Sequence, residues 1–540
     1  MMKHHIAHLF LLLLSSPGCI AAGPLPIPWS DKSYGPDGPW HAVTIALGSP
    51  QQAIDLYPGG SWGSGILLST ICRNASLSSI CYADRAGGLF NSDLSSSWDN
   101  TSIQLSLMNT DRTIQPMGVA NEVPLYGKVV RAFDELNIAD FSIPDVTLNA
   151  FSDVYQVYPG GKAYQVEMGV LSLGCSDMKQ SFTGNRTIET TFTPSYLYEY
   201  GAIPSYSYGM HIGSVPLGIP GSLVLGGYDQ NRVLGDVSAQ PYSSGNLPID
   251  LLDVKIGVIS GGSPWTYTDK TGLLGHGNAS INYGVTVFAS GADPYIYLPH
   301  STCEAIAAEL PVTHHPDYGL YFWNTEDKRY SEIVSAPTYL GFTFSKNSLN
   351  NANITINIPF SLLNLTLDAP LVDKPTPYFP CMGTNGNYVL GRAFMQAAFV
   401  GVNWGPHQGS WFLAQAPGPN IPGTTTVTTI NPSDNTVESS SSDWESSWKG
   451  VWKELPATSA ANTSTPTPSE DSCGLSTGAK TGITIAVAVA AAVVAVFAMW
   501  RWLRGRRQPM LAAVPKQERN QEQLVYELDN MERTQVCELS

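Results

Sequence analysis

Charge is scarce in this chain. Only 13% of the 540 residues are Asp, Glu, Lys or Arg, and 28 bases stand against 44 acids, for a formal net charge of −16. Proteins that bind nucleic acid neutralise phosphates with clustered Lys and Arg, so nucleic acid is excluded as a partner. Helical periodicity is also rare. The best short case runs from Cys303 to Leu310, with Ser301 and Glu304 spaced as a capping box directly after Pro299. There are 8 cysteines, and no Cys/His spacing points to a metal, so neither a metal nor a cofactor is expected.

What the chain has instead is turn-formers and aromatics, with Gly 50, Pro 39 and Tyr 25, in a composition that is 43% hydrophobic. That balance excludes disorder throughout and suits an all-β extracellular module rich in tight turns. Residues 23–420 form short apolar runs closed by turn residues, such as Trp40 to Leu47 and Ser222 to Gly227. Residues 421–478 turn to Ser, Thr and Pro and are expected to form a disordered stalk. Within them Trp444, Trp448 and Trp452 recur every four residues, a stripe for the folded domain, for a membrane surface or for no partner.

Both ends carry targeting signals. Residues 1–22, with Lys3, His4 and His5 before an apolar run and Ala21 and Ala22 after it, have the pattern of a cleaved secretory signal that takes Cys19 with it. Residues 482–503 contain an uncharged stretch, Gly482 to Trp500, long enough to cross a bilayer. Arg501, Arg504, Arg506 and Arg507 follow it, with only Lys480 before it. The expectation is a single-pass type I membrane protein of the plasma membrane or the secretory and vacuolar route, membrane-inserted, with residues 504–540 free for a cytosolic partner. Seven acceptor asparagines, Asn74, Asn100, Asn185, Asn278, Asn353, Asn364 and Asn462, fall on the side expected to be lumenal. The chain ends in Cys537-Glu538-Leu539-Ser540, the outline of a prenylation box; whether Cys537 is lipidated stays open.

Four blocks carry a family resemblance. They are His41 to Gln52 with its Gly48-Ser49-Pro50-Gln51 turn, Glu167 to Gly174, Leu223 to Asp236, and Tyr388 to Phe399. In that order and spacing they resemble the pepsin-like aspartic proteases, in particular the fungal membrane-attached type. The resemblance implies an all-β, bilobal acid-protease fold, with one lobe over about 36–190 and the other over about 191–416. It also implies disulfides Cys72–Cys81 and Cys303–Cys381, leaving Cys175 and Cys473 to pair with each other, to pair between chains or to stay free.

Hydrolysis in that family needs two carboxylates sharing one proton around a water. Here the first site position falls on Pro58 or Gly59, depending on the count from Gln51 or Gln52, and the second on Ala289 or Ser290. None of the four is an acid. The nearest carboxylates are Asp55, which strand alternation turns away from the site, and Asp293. No firm equivalent of the family's flap tyrosine stands out; Tyr126 and Tyr155 are candidates. The expectation is a non-catalytic, aspartic-protease-like membrane glycoprotein with peptide or cell-wall material in its cleft. The alternative is an active endopeptidase with an atypical site.

Overall fold

The computed structural model describes residues 22–71, 86–102, 106–114, 117–183, 187–281, 283–347, 352–405, 409–421 and 423–457. They belong to a compact unit that ends at Ala457. Two large sheets organise it. A nine-stranded sheet is built from strands between Trp29 and Ser172, and an eight-stranded sheet from strands between Pro248 and Leu390. A six-stranded sheet draws on both ends of the unit, setting Leu25–Pro26 beside Ser222–Leu225 and Ser207–His211 beside Ala398–Asn403.

The strands follow from the pattern of side chains. In Trp40–Leu47, Trp40, Ala42, Val43, Ile45 and Leu47 are buried while His41, Thr44 and Ala46 are less so, close to the period of two that a pleated strand imposes. Each large sheet then repeats one device. The short strand Gly169–Ser172 lies between Gln52–Gly60, parallel to it, and Ser64–Leu67, antiparallel. In the other sheet Val389–Leu390 lies between Val285–Ala289, parallel, and Ile296–Pro299, antiparallel. Pro58 and Gly59 stand at the end of the strand Gln52–Gly60, and Ala289 and Ser290 at the end of Val285–Ala289, each just before the chain turns into the loop that follows.

Among the described residues four α-helices make the fold mixed α/β, with two large β-sheets, and correct the all-β expectation: α1 (Thr193–Glu199), α2 (His300–Ala307), α3 (Lys328–Ser335) and α4 (Arg392–Met395). Local hydrophobic spacing is a poor guide to helices this short, because one or two turns expose too few periods to be distinguished from a strand. Helix α2 begins at His300, directly after Pro299 as expected, but its N-cap, Pro299, makes no side-chain cap hydrogen bond. The expected Ser301/Glu304 capping box does not form.

No described helix answers to the expected transmembrane span or to the membrane-inserted, single-pass placement. Among the described residues no helix is long and apolar enough to cross a membrane. The longest α-helices have eight residues and reach about 12 Å, against about 30 Å of hydrocarbon. The run at 482–503, the leader at 1–22 apart from its last residue, and the tail at 504–540 lie outside the described residues.

Residues 423–457, assigned to a disordered stalk from composition, pack on the folded unit. Val427–Thr429 pairs with Gly227–Asp229, Leu455 bridges Gly262, and the Lys453 amide donates to the Ser335 carbonyl at 2.8 Å. The tryptophan stripe is what docks. Trp448 is 1% exposed, stacks on Trp452 at 5.1 Å and closes over Gly418, where a Cβ would lie 2.5 Å from the indole.

Candidate functional site

Two glycines bring the loops together. Gly59, at φ 117°, and Gly291 face each other so closely that a Cβ on Gly59 would sit 2.9 Å from the Gly291 Cα, and one on Gly291 only 2.4 Å from the Pro58 carbonyl oxygen. Any side chain at either position would force the loops apart. Ala289 and Ser290 are buried beside this contact, their amides donating to the Leu247 and Leu390 carbonyls at 3.0 and 3.2 Å. The four positions expected to hold the catalytic pair thus meet at one place, and none brings a carboxylate to it.

An arginine supports the junction. Arg392, 5% exposed at the start of α4, donates from Nη1 to the carbonyls of Gly291 (3.1 Å) and Ala292 (2.9 Å). Its guanidinium lies 4.1 Å from the centre of the Tyr57 ring and 5.2 Å from that of Trp40, with Asp37 at 3.9 Å. Asp37 in turn accepts from the Trp40 indole at 2.9 Å, and its backbone carbonyl accepts from the Tyr378 hydroxyl at 2.6 Å. Buried phenols surround this group, among them Tyr158 and Tyr295, whose hydroxyls are 2.6 Å apart. Burial drives the Tyr57, Tyr158, Tyr295 and Tyr378 phenols well above their ordinary range, so all four are neutral. Sequence reasoning missed Arg392 and Asp37. The available signal was a lone charge inside the apolar block Val389 to Phe399, where a buried cation requires a partner.

Asp293 lies two residues beyond Gly291, and it is occupied. It is 5% exposed and accepts the amides of Val119 (2.8 Å, on Oδ2) and Ala120 (3.2 Å, on Oδ1). Those amides belong to residues 117–124, which connect the paired strands Ser106–Ile114 and Leu125–Ile138 and lie as a strap against the second loop. Two further bonds hold the strap: Asn387 Nδ2 donates to the Val119 carbonyl at 3.1 Å, and the Thr384 hydroxyl donates to Glu122. A Cβ on Gly118 would clash with Asp293, at 2.2 Å from Oδ2, so the strap's close approach depends on glycine there. Burial raises the Asp293 carboxyl above its ordinary value; the Ser290 hydroxyl, the strap amides and the Arg392 charge oppose that rise without cancelling it.

Asp55 faces elsewhere. It accepts hydroxyls from Ser30 (2.7 Å), Thr44 (2.6 Å) and Tyr34, tying the strands Trp29–Tyr34, Trp40–Leu47 and Gln52–Gly60 together. Tyr126 and Tyr155 are cross-strand partners whose rings stack at 5.8 Å. Neither lies in the strap. The Cys303–Cys381 disulfide is formed, joining α2 to the strand Cys381–Thr384 with 5.8 Å between Cα atoms. Cys175 is buried as a free thiol that burial pushes up to about 12, which makes it a poor nucleophile. Asn100 and Asn353 are exposed and Asn278 and Asn364 half-exposed. Cys72, Cys81, Cys473 and Cys537, with Asn74, Asn185 and Asn462, lie outside the described residues. Among the described residues no group of three or more His, Cys, Asp or Glu side chains is placed to hold a metal. Neither a protein-family model nor a curated protein matches the chain.

Proposed function

We propose that this chain is a non-catalytic relative of the pepsin-like aspartic proteases that holds an extended peptide beside its strap without cleaving it. The observation that carries the reading is the junction itself. Gly59 meets Gly291 backbone to backbone where that chemistry needs two carboxylates, and Asp293, two residues beyond Gly291, spends both oxygens on strap amides. A water at the junction would find no base to take its proton, and a scissile carbonyl no acid to protonate it. The four blocks of resemblance and the repeated strand device around each loop support descent of the frame from a peptide-binding enzyme; they do not supply its chemistry.

The test is an assay of the full-length chain, made in a host lacking its own aspartic proteases, against denatured protein between pH 3 and 7. No turnover is expected at any pH, and labelled extended peptides should bind with their length intact on recovery. Turnover that copurifies with the chain and disappears in Asp293→Ala would establish the atypical endopeptidase instead. Recovery of bound polysaccharide but no peptide would replace peptide with cell-wall material as the ligand.

A further inference from the structure

Beside the strap lies a cavity of about 530 Å³ that the junction does not use. Its size falls within the range of small-ligand sites, roughly 300–1,000 Å³. Two carboxylates line it, Glu122 from the strap and Glu304 from α2, and no Lys or Arg does. His300 and His314 are the other titratable groups besides Tyr321 on its wall, and apolar surface comes from residues such as Val312 and Met382. The aromatic part is ordered, with the His314 and Tyr321 rings 5.0 Å apart. Glu304 acts on Tyr321: burial first, and then that carboxylate, push the phenol up to about 12. Glu122 is fixed by the Thr384 hydroxyl it accepts, so one wall of the cavity moves with the strap.

We infer that this cavity is a binding site for the guanidinium or ammonium side chain of a peptide, with Glu122 and Glu304 as its anionic partners and Tyr321 as its aromatic wall. The chemistry is complementary at each part of such a side chain. A long aliphatic stem covers apolar wall while its charged head reaches carboxylates, and an aromatic face adds cation–π attraction. A net charge of −16 favours the approach of a cation over an anion. The inference rests on the peptide-binding reading above and names the residue class that reading leaves open.

The experiment measures fluorescence polarisation of labelled eight-residue peptides on the full-length chain. One peptide carries a central Arg, and its twin carries citrulline, which keeps the shape and loses the charge. The Arg peptide is expected to bind about tenfold more tightly, an advantage that shrinks with added salt. Glu304→Gln and Glu122→Gln should each remove most of that advantage and leave the citrulline peptide unaffected. Gln at 122 keeps an acceptor for Thr384, and urea unfolding of both variants checks that the fold is intact. Equal binding of the two peptides, or an advantage that survives Glu304→Gln, overturns the site while leaving peptide binding standing. Agmatine binding that is lost in Glu304→Gln, with no peptide bound, keeps the cation site and overturns the peptide reading. Binding of neither overturns both.

Discussion

Replacing Asp293 by Asn tests the strap most directly. In the native chain the carboxylate accepts Val119 and Ala120 amides at 2.8 and 3.2 Å, one on each oxygen. Asn keeps the volume but offers one acceptor, so one amide is matched and the other faces an NH₂ group. An orphaned buried donor costs about 1–3 kcal/mol, and relief of the buried charge offsets part of that. A net loss of about 2 kcal/mol is expected, equivalent to roughly a thirtyfold shift in the opening of the strap. Hydrogen exchange reads it at the right atoms: protection of the Val119 and Ala120 amides should fall about thirtyfold, while Met210, in the six-stranded sheet, stays protected. The pH dependence gives an independent sign. Because folding raises the Asp293 carboxyl, its contribution is fully present below the ordinary value of 3.8 and is lost as pH rises through the folded value. Acidification from neutral pH should therefore stabilise the wild-type chain relative to Asp293→Asn. Unchanged amide protection, or a relative loss of stability on acidification, would refute the account of the strap.

Two further substitutions probe what surrounds the junction. Arg392→Leu leaves the Gly291 and Ala292 carbonyls without their donor and Asp37 without a nearby cation; a loss of about 3–5 kcal/mol in urea unfolding is expected, and a loss below about 1 kcal/mol would show the arginine to be dispensable. Trp448→Ala opens a cavity where the indole covers Gly418 and should cost about 3–5 kcal/mol, with faster proteolysis after residue 420; unchanged stability would mean that residues 423–457 contribute nothing to the unit.

Much of the frame was written in the sequence because it depends on local pattern. Period-two burial in Trp40–Leu47 is a short-range feature, and so are the counts from Gln51 or Gln52 and back from the run ending at Pro299 that lead to Pro58, Gly59, Ala289 and Ser290. The absence of an acid at Pro58, Gly59, Ala289 and Ser290 is likewise a property of the sequence alone. Composition misled at 423–457, where Ser and Thr suggested a stalk: a few tryptophans supply enough buried area to dock a segment that is otherwise polar. What only the tertiary structure decided is which groups meet across long separations. Asp293 is 173 and 174 positions from the amides it accepts, and Arg392 about a hundred from the carbonyls it supports. Periodicity along a chain records which face of a strand is buried, but not which residue lies opposite it. The latching of the strap by Asp293, the buried arginine under the loops and the acidic cavity beside them all follow from such pairings, which exist only once the two large sheets have come together.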